Sequence, residues 1–125
     1  VHNDPNKGKS LITLAGSVKK ISAATVTEAY ASGDPLSQHL VEETANFLAA
    51  GLVGIINAFN PCLIVLGGGV IQGLPEYTSL IERIVHLKAL EAALEGLHIV
   101  TAALGNKAGV IGAAALAHQL FYNVE

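Results

Sequence analysis

The stretch Ile56-Asn57-Ala58-Phe59-Asn60-Pro61-Cys62-Leu63-Ile64-Val65-Leu66-Gly67-Gly68-Gly69-Val70 decides the fold class of this chain. It reads as a helix end, a strand and a turn in immediate succession. Asn60-Pro61 stops the helix, because the residue before a proline is driven out of the helical region. Cys62 to Leu66 has no charged or amide side chain and lies between Pro and Gly. Such a run predicts a strand buried on both faces, as in a parallel sheet. Gly67-Gly68-Gly69 is then the turn that leaves the strand.

Upstream, Asp34-Pro35 marks a helix start: Asp accepts from free backbone N–H groups, and Pro is pre-set for the first helical position. Leu36, Leu40, Phe47, Leu48, Leu52, Ile55, Ile56 and Phe59 follow at close to the helical period. Glu42 and Glu43 sit early and read as a solvated face near the positive end of the dipole. Phe47 to Phe59 is apolar nearly all round, which predicts a central, buried helix. Ser22 is placed to cap a shorter helix through Ala31, ending at Gly33. Residues 1–21 read as a polar leader, Val1 to Ser10, followed by a short strand, Ser10 to Gly16. Downstream, Pro75 opens a helix to about Leu94 with Gly96 beyond its end. A second strand fits Leu97 to Ala103, and a last helix fits Ala108 to about Phe121, dense in Ala and Gly. Alternating strands and helices give an α/β class, helix-rich with a few mostly parallel strands. Two strands do not make a stable sheet alone, so this one is expected to complete a larger sheet or to pair with another chain.

Composition narrows the function classes. Seven basic and ten acidic residues in 125 leave a net charge of −3. A nucleic-acid surface needs clustered basic charge to displace counterions, so none is expected here. At 51% hydrophobic and 14% charged, the chain is a folded segment rather than a disordered tail. Positions 44 to 75 carry no charge. A membrane span needs ~20 apolar residues in succession, and Asn57, Asn60, Pro61 and the glycines interrupt the run, so no membrane segment is expected. The polar first ten residues are unlike a signal peptide. The single cysteine, Cys62, excludes an intrachain disulfide and a Cys-rich zinc site, which suits a reducing cytoplasm. The chain has no methionine and begins at Val1, which points to processing or excision.

Few residues offer chemistry. A glycine turn at the carboxyl end of a parallel strand lets a base or phosphate approach the backbone. It is equally the shape of a tight strand-to-helix turn with no ligand. The dinucleotide pattern G-x-G-x-x-G fails at Gln72, and no Gly-Lys-Ser/Thr follows. Gly105-Asn106-Lys107-Ala108-Gly109, after the second strand, reads either as a loop touching a nucleotide or as a simple turn. His2, His39, His86, His98 and His118 are scattered and carry no metal-ligand spacing. Cys62 reads as a buried structural thiol. Asp34 reads as a helix cap. No triad and no general base emerge, so no catalytic residue is assigned.

Three stretches taken together carry a resemblance: Ala31-Ser32-Gly33-Asp34-Pro35, the stretch from Ile56 to Val70, and Ala108-Gly109-Val110-Ile111-Gly112-Ala113-Ala114. In this order and spacing they resemble the C-terminal part of the ROK family, which includes bacterial sugar kinases such as glucokinase and sugar-responsive repressors. The resemblance covers about residues 20 to 120 and makes 22–125 the C-terminal part of a kinase-type domain. It implies part of an actin-like (ribonuclease H-like) ATPase fold. Kinases of the family transfer the γ-phosphoryl group of ATP, with Mg, to a sugar hydroxyl. By resemblance, Gly67, Gly68 and Gly69 match the adenosine-binding turn, and Ala108 to Ala114 match the helix connecting two lobes, whose small residues allow a close crossing.

The Asp-x-Gly-x-Thr phosphate loop, a Gly-Asn-Asp-Ala segment, the sugar-contacting Glu-x-Gly-His and the Cys-rich zinc motif of the family are absent here. In full-length members they lie upstream. The resemblance therefore implies an adenosine-binding segment without the groups that position phosphates, magnesium and the attacking hydroxyl. Sugar, ATP and Mg are implied as ligands of the full-length protein, and a homo-oligomer as its assembly. Two alternatives stay open: the sugar-sensing part of a ROK-type repressor, and a free-standing domain that dimerises through its apolar helix.

Overall fold

The computed structural model describes residues 8–122, so the leader positions 1–7, His2 among them, lie outside the described residues. The elements are α1 (Lys9–Ala15), a 3₁₀ turn (Val18–Lys20), α2 (Ala23–Ala31), α3 (Pro35–Phe59), β1 (Leu63–Leu66), α4 (Gly69–Gly73), α5 (Tyr77–Lys88), α6 (Glu91–Leu94), β2 (His98–Thr101), a second 3₁₀ turn (Gly105–Lys107) and α7 (Ala108–Tyr122). β1 and β2 pair in parallel, with Ile64 opposite Ile99 and Leu66 opposite Thr101. The helix-rich α/β class with a parallel pair is therefore as expected.

The caps read from sequence are present. Ser22 and Thr25 form a reciprocal capping box at the start of α2. Asp34 caps α3 with Pro35 behind it, and Asn60 ends the helix in the left-handed conformation at φ 46°. Asp34 accepts from the Ser37 backbone N–H at 2.9 Å and from the Ser37 hydroxyl at 2.8 Å. The Ser37 backbone bond is the main reason its carboxyl is held below the usual carboxylate value, with the Ser37 and Ser10 hydroxyls adding to it against desolvation. Because the folded pKa is depressed, this cap's contribution is present above the ordinary value of 3.8 and is lost as pH falls through the lower folded value. Asp34→Ala is expected to cost about 0.5–2 kcal/mol at neutral pH. Urea unfolding of both proteins should show that gap closing below pH 3.8.

Five expectations need correction. The strand expected within residues 10–16 is helical: Leu11 is 1% exposed and Ala15, one turn on, is half-buried, while Gly16 closes α1 at φ 77°. Among the described residues no strand lies alongside to supply ladder bonds, so local backbone bonding wins. The helix expected from Pro75 to Leu94 is two helices. It breaks where the Leu90 N–H donates to Asn57 Oδ1 of α3 at 3.0 Å, with Leu90 itself extended.

Third, the α3 segment from Phe47 to Phe59 is buried on one side only. Val41, Ala45, Ala49, Leu52 and Ile56 face Tyr77, Ile81, Ile84 and Val85 of α5 in the core. Phe47 and Phe59 are 70% and 79% exposed. Length and apolarity would let α3 cross a bilayer, but here its buried stripe packs against α5. Fourth, β1 is covered on one face: Leu66 joins the helical core, while Leu63 and Val65 of the other face stand more than half exposed. Fifth, the Cys62 thiol at its start is exposed rather than buried. These last two corrections share a cause, since a parallel pair needs a layer on each side and the described residues supply one.

Candidate functional site

Parallel pairing puts the carboxyl ends of β1 and β2 side by side. The last rung is the Ala102 N–H donating to the Leu66 carbonyl at 2.7 Å. Beyond it the chain turns twice, at Gly67-Gly68 after β1 and at Gly105–Lys107 after β2. The three glycines differ in role. Gly67 runs so near the neighbouring turn that a β-carbon there would stand 3.3 Å from the Ala102 β-carbon. Gly68 has φ 108° and ψ 168°, a backbone region confined essentially to glycine. Gly69 is already the first residue of α4. The turn expected over three residues thus occupies two, and the third begins a helix.

Gly67 also forms part of the wall of a groove of about 540 Å³ that runs between α2, α3 and α4. Val26, Thr27, Leu48, Val70 and Ile71 supply its sides, and no charged side chain lines it. The one tyrosine at its rim has its hydroxyl engaged, donating to Thr44 Oγ1 at 2.9 Å. A hollow of about 520 Å³ between α2 and α4 adjoins it and shares Ala23, Thr27 and Val70. A wall of aliphatic side chains beside bare glycine backbone suits a flat, uncharged ring system. It offers nothing to neutralise a phosphate.

The other residues weighed from sequence lie away from this groove's chemistry. Asp34 is committed to the α3 cap. Glu42 and Glu43 are exposed, as expected for a solvated face. Cys62 sits at the opposite end of β1, its carbonyl accepting from His98 N–H at 2.9 Å. Among the described residues, no group of three His, Cys, Asp or Glu side chains could hold a metal ion. The Ala- and Gly-rich α7 does not cross a neighbour closely: its described side chains are all exposed, and the helix stands on the Gly105–Lys107 turn.

Sequence reading missed two contributors. The α2 and α3 wall of the groove, from Ala23 to Leu48, is far from the glycine turn in sequence and carries no motif. Gln72 was visible only as the residue that breaks a glycine pattern. In the structure its side-chain Nε2 fills the space a β-carbon on Gly105 would need, while Gly105 holds φ 55°.

The sequence profile of the ROK family matches residues 8–120. Over 108 residues the chain is 32% identical to the beta-glucoside kinase of Klebsiella pneumoniae, covering 86% of this chain and 34% of that protein. A ROK family glucokinase from Streptomyces griseus, solved in complex with glucose and AMPPNP, superposes with a TM-score of 0.77 at 30% identity. That match covers 94% of this chain and 38% of the glucokinase. A ROK family transcriptional regulator, a homologue of the E. coli MLC protein, superposes with a TM-score of 0.59 at 30% identity, over 67% of this chain and 21% of the regulator. The chain thus spans about a third of the length of the curated kinase it matches. A helix-rich α/β unit with a glycine turn after its first parallel strand, matched by the profile over nearly its whole length, belongs to the ROK family.

Proposed function

We propose that this chain is the C-terminal, adenosine-holding segment of a cytoplasmic, ATP-dependent sugar kinase of the glucokinase type. It lies within an actin-like (ribonuclease H-like) ATPase fold. One observation carries the reading: bare Gly67 backbone at the carboxyl end of β1 forms a wall of an uncharged groove large enough for a nucleobase. The complex of the S. griseus glucokinase with glucose and AMPPNP supports a nucleotide and a sugar as the ligands of the whole protein.

In this reading the chain works by positioning. Gly67 and Gly68 let the adenosine lie against the backbone, and Val26, Leu48, Val70 and Ile71 exclude water from one face of the base. ATP carries the phosphoryl group that the kinase transfers. Among the described residues no group of three or more His, Cys, Asp or Glu side chains lies together to hold the Mg that accompanies ATP. Its ligands and the base for the sugar hydroxyl belong to the remainder of the kinase. The isolated chain therefore binds adenosine nucleotides weakly and transfers no phosphoryl group.

Titration of the isotope-labelled chain with ADP, followed by amide NMR, tests this. The Gly67, Gly68 and Gly105 signals should move together and saturate, with no glucose-dependent consumption of ATP. Signals that stay still, or measurable turnover, would overturn the reading. The likeness to the MLC homologue favours a second reading, the sugar-sensing part of a repressor in which the glycine turn is architecture. The parent reading frame separates them: a phosphate loop and catalytic aspartate upstream mean a kinase, a helix-turn-helix means a repressor.

A further inference from the structure

We infer that Gln72 is a positioning residue of this nucleotide site: its side chain, seated against Gly105, braces by its bulk the turn after β1 at a set separation from the turn after β2. The inference rests on the nucleotide reading above. The ladder between the strands ends at the Leu66–Ala102 bond, so no rung joins the two turns beyond it. Near the strands the turns touch through Gly67 and Ala102. Farther out, α4 carries Gln72 back across the gap, its backbone N–H donating to the Gly68 carbonyl at 3.1 Å. The half-buried side chain then occupies the space left by the missing β-carbon of Gly105.

The second turn needs such a brace. The Gly105 N–H reaches the Ala102 carbonyl at only 3.4 Å, near the limit for a hydrogen bond. Gly105 serves two ends at once: it tolerates φ 55°, and it leaves room for the amide. Val70 and Ile71, which precede Gln72 on α4, line the groove, so a ligand's affinity there depends on where the brace against the second turn holds α4.

The test compares Gln72→Ala and Gln72→Met with the wild-type chain, using ADP as the probe. Gln72→Ala removes the brace, whereas Met keeps its length and volume without the amide. Gln72→Ala should weaken ADP binding about fivefold or more and shift the Gly105 and Lys107 amide signals before any ligand is added. Its urea midpoint should stay at the wild-type value, which separates positioning from general destabilisation. Gln72→Met should bind within about twofold of wild type, since a swap that conserves volume preserves the packing. Unchanged affinity in Gln72→Ala would overturn the brace while leaving the nucleotide reading intact. So would a Met variant as weak as the Ala variant, because hydrogen bonding and not packing would then be at work. A wild-type chain that does not bind ADP overturns the nucleotide reading, and the brace's role in that site with it.

Discussion

Ile81→Ala is expected to destabilise this chain by about 2–5 kcal/mol, the range for truncating a buried Ile to Ala. Ile81 is fully buried on α5, in the seam where α5 packs against α3. Among the described residues that seam is the most extensive helix–helix packing. The change removes apolar surface from burial and leaves a cavity among Ile56, Ile84 and Val85, whose helices have little freedom to close it. Native domains are stable by only about 5–15 kcal/mol, so the loss is a large share of the total. Urea unfolding followed by far-ultraviolet circular dichroism measures it as a lowered midpoint. Leu87→Ala on the same helix is the control. Leu87 is 79% exposed, and its truncation should stay within about 0.5 kcal/mol. Equal losses at the two positions would mean that the α3–α5 seam does not carry the fold.

Gly68→Ala is expected to cost about 1–3 kcal/mol and to abolish the ADP-induced shifts at the turn. A β-carbon at this position would meet no atom within 4 Å, so the penalty is one of backbone conformation alone. At φ 108° and ψ 168° an L-residue with a β-carbon is strained, and the turn relaxes by rotating out of that region. Rotation there re-aims the Gly67 backbone that walls the groove, so stability and binding fall together. Gly69→Ala is the informative comparison, since Gly69 has open space around it and lies in helical backbone. It should be neutral to within about 0.5 kcal/mol. Unfolding midpoints and ADP titrations of the two variants distinguish backbone strain from simple intolerance of side chains. A Gly69→Ala loss as large as that of Gly68→Ala would refute the account.

Much of the secondary structure was legible because its signals are local. Asp34-Pro35 and Asn60-Pro61 bracket α3 through capping and proline sterics, and both ends fall where those rules put them. Leu63 to Leu66 reads as a strand, and the triple glycine as its exit, for the same reason. Residues 10–16 show the limit of such reading. Ser10-Leu11-Ile12-Thr13-Leu14 has the composition of a strand, but a strand exists only if another lies beside it, and none does among the described residues. The break between α5 and α6 shows the same limit, because the Asn57 side chain that catches the Leu90 N–H lies 33 positions away.

The candidate site divides in the same way. Gly67 and Gly68 could be found in the sequence, because a strand followed by glycines is a local pattern with a local cause. The groove could not: Val26, Thr27 and Leu48 reach it only once α2 and α3 have packed around α4. Gln72 could not either, because its role depends on Gly105, brought beside it by parallel pairing of β1 and β2. Burial was the least legible property of all. The apolar run through α3 and β1 looks like the inside of a protein, and half of it is outside here, with Phe47, Phe59, Leu63 and Val65 exposed. Apolar composition states that a face prefers to be covered, and local backbone chemistry states where helices and strands begin. By itself the sequence determined those preferences, the caps and the glycine turn. Which faces are covered, and which distant residues meet at the turn, was decided by tertiary packing, because both depend on which element lies alongside.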